Sequence, residues 1–333
     1  MRPFTYERAR SADEALALHD GDTHYLGGGT NLVDLMRLGV ERPAKLVDVT
    51  LLPYDRIEEH GGGLLIGAAV RNSDLAADRT VRERYPVLAE AVLAGASGQI
   101  RNQATVGGNL LQRTRCSYFQ NVTKPCNKRD PGSGCPAREG EHHNLAILGY
   151  TPHCVATHPS DMSVALAVLD ASVRVHGRSG ERGVRLDEFY RLPGDDPSRD
   201  TTLDPGDLVT GIQVPPLGMA SRYRKVRERA SFAFALVSIA ASLDVADGTV
   251  RDCRVALGGV AHRPWRARRA EEMLRGAPAT EESYLRAAQA EMEAAQPLRD
   301  NGFKVQLATN LIVRTLSELA LSEQAPSKPG DGS

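Results

Sequence analysis

The stretch Tyr25-Leu26-Gly27-Gly28-Gly29-Thr30-Asn31-Leu32 decides the fold. His24, Tyr25 and Leu26 read as a short strand and three glycines follow as a turn. Leu32, Val33, Leu35, Met36 and Leu38 then recur at helical spacing up to Gly39. A glycine turn between a strand and a helix lets the backbone come close to a phosphate, and the helix start offers unpaired N–H groups to the anion. Upstream, Ser11 and Glu14 frame a capping box ahead of Ala15, Leu16 and Leu18, so a short helix is expected to end near Gly21. Downstream, residues 45–49 and 64–68 read as strands, the second entered through Gly61-Gly62-Gly63. The opening of the chain is therefore α/β.

A helix is expected over 85–96. Residues 100–106 then lead into a second glycine pair, Gly107-Gly108-Asn109, which would face the first as another wall. Each glycine turn taken singly is equally well a tight turn with no ligand. The dinucleotide fingerprint G-x-G-x-x-G fails because Leu32 holds its last position, and no P-loop motif occurs. Further on, 162–169 reads as an apolar helix, and 171–175 and 206–214 as strands. Pro215-Pro216-Leu217-Gly218 marks the best internal boundary. Beyond it, strands over 234–245 and 250–257 flank an Asp247-Gly248 hairpin turn, and helices follow at 264–275, 280–295 and 303–322. Residues 324–333 are polar with two prolines and are expected to be disordered.

The chain has 333 residues with 41 basic and 42 acidic side chains, a net charge of −1, which speaks against a nucleic-acid-binding surface. Its mean hydropathy of −0.33 excludes membrane insertion. No export signal opens the chain, so a cytoplasmic location is expected, or a periplasmic one if a signal-bearing partner carries it out folded.

Four of the five cysteines, Cys116, Cys126, Cys135 and Cys154, fall within 39 residues, and Cys253 sits alone in a strand pattern as a packed side chain. Disulfide frameworks belong to small secreted domains, so metal or cluster binding is the leading reading. The window is rich in proline and glycine, and a segment this long without regular structure needs something to organise it. Its spacings lack the short C-x2-4-C knuckles of structural zinc and suit a bulkier iron–sulfur cluster. Arg113, Arg115, Lys124, Lys128 and Arg129 occur from 113 to 129 without one acidic residue, a charge that would offset an anionic cluster. Zinc, or a solvated loop with unrelated thiols, stays open on these grounds. His142, His143, His153 and His158 are ligands only in principle. Arg222, Arg224, Lys225, Arg227 and Arg229 form a basic run that reads as a solvated face, with a cofactor phosphate or a partner subunit as the alternative.

Together, 25–32, then Ile66-Gly67-Ala68, then 100–109, then His158-Pro159-Ser160-Asp161 and Arg224-Lys225-Val226 resemble the FAD-binding subunit of the xanthine dehydrogenase family of molybdenum hydroxylases, over nearly the whole chain. The resemblance implies an α+β fold: two α/β subdomains of a PCMH-type FAD-binding domain (1–217, divided near 55) and a C-terminal α+β domain (218–323) with a three-stranded sheet and helices. It implies FAD held by Leu26, Gly27, Gly28, Gly29, Thr30 and Asn31 at the pyrophosphate, and by Thr105, Gly108 and Asn109 opposite. Ile66 and Gly67 would lie by the flavin, with Asp161 and Lys225 close to the cofactor. Arg113-Thr114-Arg115-Cys116, Pro125-Cys126, Gly134-Cys135 and His153-Cys154 resemble the [4Fe–4S] loop of the three-chain bacterial aldehyde oxidoreductases, placing the four ligands in 113–158.

The function implied is an electron-transfer subunit of an aldehyde oxidoreductase, with no catalytic triad or carboxylate pair of its own. A molybdenum cofactor on a large subunit and [2Fe–2S] clusters on a small subunit would come from partners, since this chain has no motif for either. The competing readings are a free-standing flavin oxidase or reductase, and a zinc-stabilised binding module.

Overall fold

Three strands near the N-terminus, β1 (Thr5–Arg8), β2 (Thr23–Leu26) and β3 (Lys45–Asp48), pair in the order β1-β3-β2. Both pairings are parallel, with Thr5 and Thr23 each opposite Lys45. Parallel neighbours need crossovers, and helices Ala12–Leu18 and Leu32–Arg37 supply them. Ser11 caps the first, its Oγ accepting from Glu14 N at 3.1 Å. The return bond of the expected capping box is shifted by one residue, since Glu14 accepts from Arg10 N at 2.7 Å. The computed structural model describes residues 1–230 and 233–324. The tail expected to be disordered lies outside the described residues, except for Gln324, which ends a helix.

A second, antiparallel sheet has the order β4-β5-β8-β6-β7, built from β4 (Ile57–His60), β5 (Gly63–Gly67), β6 (Ser172–Gly177), β7 (Gly180–Arg185) and β8 (Leu208–Val214). The strands expected at 64–68, 171–175 and 206–214 are the three inner ones. The edges β4 and β7 carry Glu58, Glu59, Glu181 and Arg182, so they lack the apolar alternation that marks a strand. Helices Pro86–Ala94 and Asp161–Val168 cover this sheet, with Tyr85, Leu88, Leu166 and Ile212 in a shared core.

The C-terminal sheet has four strands rather than the expected three: β9 (Ala220–Val226), β10 (Val237–Ala246), β11 (Thr249–Gly258) and β12 (Trp265–Arg266), ordered β12-β11-β10-β9. β12 begins where a helix was expected, because Leu257 and Ala256 pair with Trp265 and Arg266. That helix therefore starts later, at Arg268–Leu274, followed by Glu281–Met292 and Phe303–Gln324. The hairpin turn is as expected, with Asp247 at φ 51° and Gly248 at φ 72°. Ala240 and Ala256 enter the core of the second sheet, while Ile239 and Leu257 face the C-terminal helices. Period-2 alternation thus welds this sheet to both neighbours. Among the described residues, no helix is long and apolar enough to cross a membrane.

Glu271 is fully buried and staples the C-terminal helices to the sheet. Its Oε1 accepts from Val255 N at 2.8 Å and pairs with Arg266. Removing one partner of a buried pair costs ~3–5 kcal/mol, so Glu271→Ala is expected to lower the denaturant midpoint by that order. Glu271→Gln, which keeps the Val255 contact, is expected to cost less. Equal stability of wild type and Glu271→Ala in equilibrium unfolding would contradict the staple.

Candidate functional site

The glycine turn is shaped by what lies behind it. Gly29 has φ +74°, and a Cβ on Gly28 would stand 2.1 Å from the Gln103 carbonyl oxygen. Gln103 Nε2 donates to Gly28 O at 3.2 Å, so the loop lies flush against 103–105. A Cβ on Gly27 would meet Thr105 Oγ1 at 2.8 Å. Among the described residues, the N–H groups of Gly28, Gly29, Thr30 and Asn31 donate to no protein acceptor. Successive free N–H groups form a nest for an anion. Asn31 accepts from Arg113 N through Oδ1 at 2.9 Å and leaves a buried Nδ2 unpaired.

The second glycine pair is not a turn. Gly107 and Gly108 lie in the first turn of helix Val106–Leu110, capped by Thr105, whose Oγ1 accepts from Gly108 N at 3.2 Å. Glycine suits the position because a Cβ on Gly107 would press to 3.1 Å of Ala68 Cβ. Asn109 Oδ1 accepts from Ser160 Oγ at 2.7 Å, which ties this wall to helix Asp161–Val168.

Two clefts meet at the glycine loop. A cleft of about 680 Å³ is lined by Thr30, Asn31, Gly108, Asn109, Asp161 and Lys225 among others. One of about 520 Å³ is lined by Gly27, Gly28, Gly29, Thr105 and Arg113, and shares Thr30, Asn31 and Gly108 with the first. Each falls in the range of about 300–1,000 Å³ usual for ligand sites. A shared lip gives room for an extended ligand with its polar middle over the nest. The residues fit a phosphate-bearing cofactor: a close-approach glycine, unpaired N–H groups and a buried amide without a partner.

Lys225 and Asp161 form an ion pair at 2.8 Å, both nearly buried. Lys225 Nζ also donates to Ala94 O at 3.1 Å, and Tyr223 donates to the other Asp161 oxygen. Burial, then the Asp161 charge, hold the Tyr223 hydroxyl well above its ordinary pKa. The basic run thus splits by strand alternation. Tyr223 and Lys225 share the face that meets Asp161, with Lys225 lining the cleft, while Arg222 and Arg224 on the other face pair with Glu318.

Three of the expected cofactor residues stand elsewhere. Ile66 is fully buried in the core of the second sheet, and a Cβ on Gly67 would strike Tyr54 O at 2.1 Å. Leu26 accepts from Val49 N and packs under Gly29. None of the three lines either cleft; strand alternation points Ile66 inward, and all three support the walls from behind. Residues not expected from the sequence also line the larger cleft. Asn72 has a buried Oδ1 without a partner, and Arg115 lies 5.1 Å from the Phe234 ring centroid. His158 is half-buried with its Nε2 turned inward, and desolvation pushes its pKa down to about 4. Asn72 follows Arg71 at a helix start and has no neighbouring motif to mark it.

The cysteine segment contains only the short helices Ser117–Gln120 and Pro136–Arg138. Cys116, Cys126, Cys135 and Cys154 nevertheless line one small cavity with Phe119, Lys128 and Ala137, and no acidic residue. Cys126, Cys116 and Cys154 are buried. Burial pushes the Cys116 thiol up to about 11. A Cys154–Cys135 hydrogen bond lowers Cys135 and raises Cys154. Among the described residues no three His, Cys, Asp or Glu side chains are grouped to hold a metal ion, so the thiols surround a space without meeting at a point. Cys116 lines this cavity and also the larger cleft. The segment is tied to the C-terminal domain by Ile147 N to Val260 O at 2.9 Å and Gln296 N to Ile147 O at 2.7 Å.

The FAD binding domain of molybdopterin dehydrogenases matches residues 2–217, and the CO dehydrogenase flavoprotein C-terminal domain matches 221–319. The chain belongs to the FAD-binding subunits of the molybdenum hydroxylases. The family read from the glycine motifs and the mixed α/β architecture both hold. The aldehyde oxidoreductase FAD-binding subunit PaoB of Escherichia coli (strain K12) is 49% identical over 324 residues, covering 96% of this chain and 98% of PaoB. A carbon monoxide dehydrogenase structure from Hydrogenophaga pseudoflava has a TM-score of 0.75 at 26% identity, covering 97% of this chain and 99% of that one. Quinoline 2-oxidoreductase from Pseudomonas putida 86 shares the fold, with a TM-score of 0.76 at 23% identity and the same coverage.

Gly28→Ala is expected to raise the Kd for FAD about tenfold or more, since a loop shift worth ~1.4 kcal/mol weakens binding by that factor, and so to lower the retained flavin. Gly98→Ala, where a Cβ meets nothing within 4 Å, is the control. Full flavin content in Gly28→Ala, measured by absorbance after gel filtration, would show that the loop is not the cradle.

Proposed function

We propose that the chain is the FAD- and [4Fe–4S]-containing electron-transfer subunit of a molybdenum-dependent aldehyde oxidoreductase complex. Electrons from aldehyde oxidation at a partner's molybdenum cofactor would pass through iron–sulfur centres and FAD to an external acceptor. The partners are a large molybdenum-cofactor subunit and a small [2Fe–2S] subunit. Near-full-length identity of 49% to an aldehyde oxidoreductase FAD-binding subunit supports the substrate class. The observation that carries the reading is Cys116, which belongs to the walls of both the cysteine cavity and the larger cleft.

FAD exchanges one or two electrons and an iron–sulfur cluster one, which is the chemistry the pair would supply. The chain's own residues do the holding. Gly27 to Asn31 present N–H groups to the pyrophosphate, while Thr105, Gly108 and Asn109 form the facing wall. Asp161 and Lys225 fix the wall nearest the C-terminal sheet and offer charge to polar cofactor groups. Cys116, Cys126, Cys135 and Cys154 are the ligands of the cluster. Buried thiols with raised pKa values become thiolates only beside a strong cation, and thiols spread around a space suit a multi-iron core better than one zinc ion. Lys128 on the cavity wall and the neighbouring arginines offset its negative charge.

Cys126→Ser in the purified complex is expected to abolish the [4Fe–4S] electron paramagnetic resonance signal after reduction while the flavin bands persist. The partner's [2Fe–2S] signals serve as the internal reference. An unchanged signal would show the ligand set to be wrong; aldehyde turnover by the chain alone would favour a free-standing flavoenzyme, and bound zinc without iron a structural module.

A further inference from the structure

Lys128 is an expensive residue to place where it is. It lies two positions beyond Cys126, is 4% exposed, and forms part of the cavity wall that carries the four thiols. Its Nζ donates to Pro197 O at 2.8 Å and to Asp200 Oδ1 at 2.5 Å. Asp200 is shared, its other oxygen lying 2.6 Å from Arg113 Nε, and Arg113 in turn bonds Glu41 at 2.8 Å. Burial alone would raise the Asp200 carboxyl, but Arg113 and Lys128 outweigh it and hold the pKa at about 2. The neighbouring histidines, His158 and His262, are kept neutral by burial, with pKa values near 4 and 3. A buried cation on the wall of the cysteine cavity is therefore held against a half-buried anion that stands outside the cavity lining.

We infer that buried Lys128 and its half-buried partner Asp200 form a charge pair that sets the reduction potential of the cluster held by the four cysteines, Lys128 raising it and Asp200 lowering it. The inference rests on the cluster reading above. Reduction adds one electron to a core that is already anionic, so a nearby positive charge favours the reduced form and a negative one opposes it. A strap that only pinned 195–200 to the cysteine loop would need hydrogen bonds and no charge. Arg113 pairs with the second Asp200 oxygen and so holds that carboxylate charged when the lysine is replaced.

The test is a redox titration of the intact complex, followed by the cluster signal in electron paramagnetic resonance, for wild type, Lys128→Met, Lys128→Arg and Asp200→Asn. Lys128→Met is expected to shift the reduction equilibrium about tenfold toward the oxidised cluster, about 59 mV downward for one electron. Asp200→Asn is expected to shift it upward, and Lys128→Arg to stay near wild type. Opposite shifts cannot come from loosened packing, which would move both variants the same way. Unshifted potentials, or shifts of one sign in Lys128→Met and Asp200→Asn, would overturn the inference. If Lys128→Met fails to assemble, an upward shift in Asp200→Asn still decides for it, and no shift against it. Wild-type protein without iron would instead defeat the cluster reading itself.

Discussion

Asp161 and Lys225 come from different parts of the chain, one opening a helix that covers the second sheet and the other near the end of β9, and they meet 2.8 Å apart with little exposure. Removing two such charges from water costs several kcal/mol per ion, so a buried pair is seldom kept for stability alone. This one gathers three segments. Lys225 also holds the Ala94 carbonyl, Tyr223 binds the second Asp161 oxygen, and Ser160, which caps the Asp161 helix, reaches Asn109 on the opposite wall. The glycine loop then rests on Thr105 and Gln103 from behind. The cleft therefore has walls from the first sheet, the segments packed on the second sheet and the C-terminal sheet, locked by one polar node.

The parts of this fold that bury apolar faces were legible from residue order. The inner strands of the second sheet, the Asp247-Gly248 hairpin and the long C-terminal helices all carry strong periodicity. The edges β4 and β7, and the basic strand β9, were not, because edge strands solvate one side or end and carry charges that erase the alternation. The basic run 222–229 shows the point in one segment: read linearly it is a solvated face, but paired with β10 it sends Tyr223 and Lys225 one way and Arg222 and Arg224 the other.

The site was legible to the extent that its chemistry lies in local motifs. The glycine loop, Asn109, Asp161 and the cysteines could be named because each sits in a recognisable run. Ile66 and Gly67 sit in an equally recognisable run, but that run lies behind the cleft wall and not on it. Asp200 acts through partners distant in sequence, Arg113 and Lys128, and no spacing rule announces it. The second glycine pair looked like a turn, whereas its Cβ-free positions allow a helix to pack closely on Ala68.

What unites these features is that a segment almost without regular structure is held in one place by the elements around it, with Cys116 touching both the cysteine cavity and the larger cleft. The account stands or falls on what that segment binds. The most direct measurement is the iron, acid-labile sulfide, zinc and FAD content of this chain purified anaerobically from its complex. The account predicts about four irons, about four sulfides and one FAD per chain; FAD without iron, or zinc in place of iron, would contradict it.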